Sequence, residues 1–230
     1  MMSVTEQLTS VQQRISQACQ RSSRPAHQVQ LLAVSKTKPL NMVLEAYAHG
    51  QRHFAENYLQ DALDKIANNP NKDIIWHFIG AIQSNKTKTI AEHFAWVHTL
   101  EREKIAQRLN DQRPLHLPPL KVCIQVNISN EDNKSGVTLA QLPILAAKVN
   151  DLPNLELQGL MCIPAANQPE AVQAEMFTTM VQALHELQVL YPHAKQLSMG
   201  MSGDLELAIA HGATMVRIGT DIFGPRATPV

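Results

Sequence analysis

Lys36 closes an apolar run, QLLAVSK (30–36), and is its one cation. Side chains in an extended run alternate, so Leu32, Val34 and Lys36 share a face. If that face points into a core, the ammonium is costly to bury and its pKa falls. A neutral lysine amine is a nucleophile, and a Schiff base with an aldehyde cofactor would relieve the cost of burial. The plainer alternative is a strand-end lysine that snorkels into solvent. Lys38 has the same parity but precedes Pro39, which suits the first turn of a helix. Lys38 is therefore expected at the loop rim, facing solvent.

Two segments near the C-terminus suit an anion. SMGMSGD (198–204) and RIGTDIFG (217–224) carry Gly200, Gly203 and Gly219, which let backbone amides approach a ligand closely. They also carry hydroxyls on Ser198, Ser202 and Thr220. A helix starting near Ser202 would aim free amides at a phosphate. The competing account is ordinary turn chemistry with Ser202 as an N-cap. Arg217 stands in an otherwise apolar run. Its guanidinium stays protonated, so beside a pyridine nitrogen it would donate and leave that nitrogen unprotonated, a weaker electron sink than one paired with a carboxylate. The alternative is a structural ion pair with Asp221 or Glu206. Asn57 and His77 end and interrupt two other runs, and a lone histidine in an apolar strand is commonly a satisfied core residue. His49 and His53 are four apart, but Gly50 between them spoils a helical metal pair, and no HExxH spacing occurs. EREK (101–104) reads as a solvated helix start.

These residues need a scaffold, and the chain alternates to supply one. β-rich runs recur at 30–36, 52–57, 74–80, 96–101, 120–128, 155–163, 196–200 and 214–219, separated by amphipathic stretches. Alternating β and α elements imply a parallel sheet with helices outside, and eight units are the number that closes a (β/α)8 TIM barrel. A further helix over 3–22 precedes the first strand. An open doubly wound sheet is the second choice, but GxGxxG is absent. RPLHLPPL (113–120) reads as the loop into the fifth strand. In such a barrel, chemistry sits at the C-terminal strand ends, and a phosphate commonly lies at the loops after the seventh and eighth strands. The first and eighth strands are neighbours in a closed barrel, which would let Arg217 face Lys36 across one ligand.

The whole chain agrees. Its 230 residues suit one α/β domain, 1–230. The composition is 44% hydrophobic but 4% aromatic, so the core rests on aliphatic residues. Lys plus Arg equals Asp plus Glu at 20 each, without the basic excess that nucleic-acid or membrane-surface binding needs. Cys19, Cys123 and Cys162 form no CxxC pair, which fits a reducing cytoplasm. The N-terminal segment lacks the apolar core of a signal peptide, and no run is long enough to span a membrane.

LLAVSKTKP (31–39), AENY (55–58), WHFIGAIQSNK (76–86), LSMGMSGD (197–204) and VRIGTDIFG (216–224) occur in this order along the chain. Together they resemble the YggS/PROSC family of pyridoxal phosphate homeostasis proteins. The resemblance implies the fold of the alanine racemase N-terminal barrel, with pyridoxal 5′-phosphate bound as a Schiff base on Lys36. It implies that Ser202, Gly219 and Thr220 hold the phosphate with Ser198 and Met201 nearby. It places Arg217 at the pyridine nitrogen, and Asn57 and His77 around the cofactor. Asp221 and Gly203 depart from the family pattern, where an alanine and an acidic residue are expected. The implied role is intracellular buffering and carriage of the cofactor by a monomer, with cofactor-dependent apoenzymes as recipients. A racemase or related enzyme is the alternative, as is, more remotely, a barrel for another phosphorylated metabolite. The chain ends just after the eighth strand. It is therefore expected to lack the second domain that gives alanine racemase its opposing acid/base group.

Overall fold

The N-terminal helix, α1 (Val4–Arg21), is specified by its cap and its stripe. Ser3 Oγ accepts from the Glu6 amide while Glu6 accepts from the Ser3 amide, a capping box that satisfies two otherwise free donors. Val4, Leu8, Val11, Ile15, Ala18 and Cys19 recur at helical spacing and are buried. In the computed structural model, which describes residues 3–129, 131, 134–165 and 168–225, this stripe packs on the last two helices and the one after the first strand.

The strands are β1 (Gln30–Val34), β2 (His53–Glu56), β3 (Ile75–Phe78), β4 (Trp96–Leu100), β5 (Leu120–Gln125), β6 (Leu155–Met161), β7 (Gln196–Ser198) and β8 (Met215–Ile218). They run in sequence order, parallel, and close through the β8–β1 pair into one barrel. Each expected run holds one strand. The helices outside are α2 (Leu40–Ala48), α3 (Leu59–Asn68), α4 (Thr87–His93), α5 (Glu103–Gln112), α6 (Leu142–Asn150), α7 (Glu170–Leu190), α8 (Leu205–Ala210) and α9 (Thr220–Phe223). The Pro-rich stretch is indeed the loop into β5. Arg113 organises it, donating to the carbonyls of Pro118, Ala91 and Phe94.

Strand alternation divides the core in two. Leu32, Val34, Ala55, Trp96, Cys123, Met161 and Met215 fill the lumen. Leu31, Ala33, Phe54 and Phe78 face outward into the larger layer beneath the helices. With both faces covered, a strand such as β4 is buried at every position. The three cysteines are free and buried. Burial pushes the Cys123 and Cys162 thiols up to about 12, so neither is a nucleophile near neutral pH.

One boundary differs from expectation. Helix α8 begins at Leu205, so Ser202 is no N-cap. Asp204 Oδ1 instead accepts from the Met201 amide, and the Asp204 amide donates back to the Met201 carbonyl. That tight turn occupies residues where a helical start is sterically and electrostatically plausible from sequence alone.

A cavity at the C-terminal ends of the strands

Lys36 lies in a turn just past β1. The Ser35 amide continues the ladder to the Ala55 carbonyl at 3.1 Å, and then the chain reverses through Thr37, whose φ is +60°. That left-handed conformation is unusual for a branched residue and must be held from outside. The Thr37 amide donates to Asp61 Oδ2 at 2.9 Å. On the other side of Lys36, Ser35 Oγ donates to Glu56 Oε1 at 2.6 Å, and the Ser35 carbonyl accepts from Lys65 Nζ at 2.7 Å. Lys65 Nζ also reaches Glu56 Oε1 at 2.7 Å and Asp61 Oδ2 at 2.9 Å. Lys65 and Glu56 are buried, and burial pushes the Glu56 carboxyl above the usual range against the pull of Lys65. A buried ion cluster thus clamps both neighbours of Lys36. Sequence reasoning missed it. The available signal was Asp61 and Lys65 at i,i+4 directly after the second strand.

Arg217 is buried in the lumen beside Leu32, its register partner on β1. Nη1 donates to Ser198 Oγ and Nη2 to the Cys162 carbonyl, both at 2.9 Å. Burial draws its pKa down, but a guanidinium stays charged. The expected ion pair with Asp221 or Glu206 is not formed. Both carboxylates turn outward to Arg14 of α1, which pairs with Glu206 at 2.7 Å and with Asp221. Arg14 Nη2 also donates to the Ser202 carbonyl at 3.0 Å, tying α1 to the loop after β7. Nothing in the local sequence marks Arg14, because its partners are more than 180 residues away.

The strand ends surround a cavity of about 290 Å³. Its wall includes Lys36, Asn57, Met201, Ser202, Arg217, Gly219 and Thr220, together with Gly203 and apolar Val34, Ile79, Met161 and Ile163. Ser198 and His77 do not reach the wall. Ser198 sits behind Arg217, and His77 is enclosed in the lumen between His53 and His98, at 2.9 Å from each. Lys38 is on the wall and half-buried rather than solvent-facing, because its Nζ donates to the Pro225 carbonyl at 2.6 Å. Two glycines make room. A Cβ at Gly80 would lie 2.1 Å from the Asn57 carbonyl oxygen, and Gly200, at φ +96°, would put one 2.7 Å from Ala208 Cβ.

The wall fits pyridoxal 5′-phosphate by chemistry. Lys36 would offer an amine to an aldehyde, Arg217 a donor to a ring nitrogen, and Ser202, Gly219 and Thr220 hydroxyls and backbone to a phosphate. Asn57 carries a buried Oδ1 without a hydrogen-bond partner among the described residues. Such an orphan is costly, and a polar ligand in the cavity that Asn57 lines would relieve it. No group of three or more metal-ligating side chains occurs among the described residues, and no described helix is long and apolar enough to cross a membrane.

Comparison with known proteins agrees with this fold. Residues 7–227 match the family model described as alanine racemase, N-terminal domain. The chain is 51% identical over 226 residues to the pyridoxal phosphate homeostasis protein of Escherichia coli K12, covering 97% of each. It is 53% identical over 226 residues to that of Pseudomonas aeruginosa, covering 98% of this chain and 97% of that one. Among solved structures, PipY of Synechococcus elongatus with PLP bound superposes with a TM-score of 0.81 at 36% identity, covering 96% of this chain and all (100%) of PipY. Alanine racemase from Corynebacterium glutamicum shares the fold, with a TM-score of 0.69 at 16% identity, over 95% of this chain and 61% of the racemase. The chain belongs to the alanine racemase N-terminal domain family, and within it to the pyridoxal phosphate homeostasis proteins.

Proposed function

We propose that this protein holds pyridoxal 5′-phosphate through a Schiff base on Lys36 and serves the cofactor's supply in the cytoplasm, without turning over an amino acid. The observation that carries the reading is one cavity where Lys36, Arg217 and the Ser202/Gly219/Thr220 cradle meet. Each meets a different part of the same small molecule: aldehyde, ring nitrogen and phosphate. The cofactor itself supplies an electron sink. The protein's residues hold and orient it, and Arg217 keeps that sink weak by donating to the ring. Asn57 contributes a polar contact from the wall. The ionisable groups among the described wall residues are Lys36, Lys38 and Arg217. An arginine rather than a carboxylate for the ring nitrogen favours holding and release over chemistry on a substrate. We read the chain as one domain working as a monomer, with cofactor-dependent apoenzymes as recipients.

Borohydride reduction of the purified protein followed by peptide mass spectrometry tests the attachment. The label is expected on Lys36, and a label on Lys38, or none, overturns it. An amino-acid screen tests the rest. Racemisation or decarboxylation that is lost in Lys36→Ala would replace the carrier reading with an enzymatic one.

A further inference from the structure

Four buried or half-buried side chains link Arg217 to the opposite side of the lumen. His53 Nδ1 lies 2.9 Å from His77 Nε2, and His77 Nδ1 lies 2.9 Å from His98 Nε2. His98 Nδ1 lies 2.9 Å from Ser198 Oγ, which is 2.9 Å from Arg217 Nη1. The histidines stand on β2, β3 and β4, and the serine and arginine on β7 and β8, so the His98–Ser198 bond crosses the barrel. His77, His98 and Ser198 are fully buried, with Trp96 stacked on His77 at 5.3 Å.

Hydrogen-bond inventory orders this chain. Arg217 has donors only, so Ser198 Oγ must accept from it. The hydroxyl's own proton then goes to its other neighbour, His98 Nδ1. A neutral imidazole has one donor and one acceptor. With Nδ1 accepting, His98 carries its proton on Nε2 and donates to His77 Nδ1. His77 in turn donates from Nε2 to His53 Nδ1. Burial keeps the rings neutral, drawing His98 down to about 3 and His77 well below its ordinary value, with Lys121 adding to the effect on His77 and His53. The opposite sense would give Ser198 two donors and leave its proton without an acceptor among its hydrogen-bonded neighbours.

We propose that His98, backed by His77 and His53, is a positioning residue for Arg217. The three rings hold the Ser198 hydroxyl as an acceptor aimed at Nη1. With the Cys162 carbonyl on Nη2, that fixes the guanidinium plane and leaves its remaining N–H groups for the cavity it lines. The functional side of this inference rests on Arg217 as the ring-nitrogen partner.

The test begins with cofactor-free protein labelled with ¹⁵N in histidine and arginine. Two-bond ¹H–¹⁵N spectra at neutral pH are expected to show His98 and His77 as Nε2–H tautomers. A proton on His98 Nδ1 overturns the proposal without any variant being made. His98→Phe removes the acceptor, and His98→Asn restores one near the Nδ1 position. In His98→Phe the separate Nη signals of a rotationally fixed Arg217 are expected to merge. Its affinity for pyridoxal 5′-phosphate should weaken about tenfold, the scale of one displaced charged hydrogen bond. His98→Asn is expected within about twofold of wild type. Wild-type Arg217 signals and affinity in His98→Phe overturn the positioning role. If wild type takes up no cofactor, the proposed function fails, while the tautomers and the Arg217 signals still decide the structural half. If His98→Phe does not fold, His77→Phe, which breaks the chain one link earlier, carries the same expectations and the same overturning result.

Discussion

Gly80 occupies a place that no larger residue fits. A Cβ there would lie 2.1 Å from the Asn57 carbonyl oxygen and 2.8 Å from its carbonyl carbon, both backbone atoms that cannot swing away. Gly80→Ala is therefore expected to push the end of β3 away from Asn57 and cost about 2–3 kcal/mol, the usual range for overpacking. A chemical-denaturation midpoint measures the stability, and cofactor titration should show the distortion at Asn57. The lumen histidines give a second prediction at this scale. His77 and His98 are fully buried and titrate below the ordinary 6.5, His98 at about 3. Below pH 6.5 the unfolded chain binds protons that the native state refuses. Their contribution to stability is thus fully present above 6.5 and is lost as pH falls through each ring's lowered value, about 3 for His98. Each ring should contribute a slope of about 1.4 kcal/mol per pH unit. Denaturation midpoints between pH 6.5 and 5 should fall steeply, and His98→Asn should remove roughly half of the slope that the two rings supply. A lone histidine in the third strand was readable as a core residue. That three strands each donate one, in contact, was not, because the period along each strand says nothing of the stagger between strands.

At the scale of elements, two clamps lock the cavity wall from behind. Helix α3 sends Lys65 to the Ser35 carbonyl and to Glu56, and Asp61 to the Thr37 amide. Lys65→Met would leave Glu56 buried without its partner. The expected loss is about 3–5 kcal/mol, since breaking one half of a buried pair strands the other charge. Lys65→Met with Glu56→Gln should recover part of that stability, as a double-mutant cycle in urea would show. The α1 clamp is weaker. Arg14, Glu206 and Asp221 are between 32% and 41% exposed, so solvent screens them. Arg14→Ala should cost about 1 kcal/mol at low salt and less at high salt. The β–α alternation and the N-terminal helix were legible in the sequence because hydrophobic periodicity is local. The clamps were not, since they depend on which loop each helix end meets. The α8 start was misread for a related reason: a Gly-Ser segment suits a helix cap and a tight turn equally well, and Asp204 decides between them by bonding back to Met201.

The whole molecule separates stability from ligand contact. Its large apolar layer lies between strands and helices, whereas the cavity is bordered by turns at one end of the barrel. Strand order was deducible because eight alternating units have few ways to close, and closure sets the turn after β1, which carries Lys36, beside β8, which carries Arg217. A ligand that binds this end only when the barrel is closed must stabilise the entire fold by mass action. At a free concentration of one hundred times Kd the gain is about 2.7 kcal/mol. For a chain of 230 residues, each kcal/mol raises Tm by about 2–4 °C, so saturating pyridoxal 5′-phosphate should raise it by about 5–10 °C. Lys36→Ala keeps Arg217, Ser202, Gly219 and Thr220 and should retain a smaller shift, while inorganic phosphate should give a smaller one still. Differential scanning calorimetry across a cofactor series measures all three. A full shift in Lys36→Ala would mean that the lysine adds nothing to holding the ligand, and an absence of shift in wild type would mean that the cavity does not bind it.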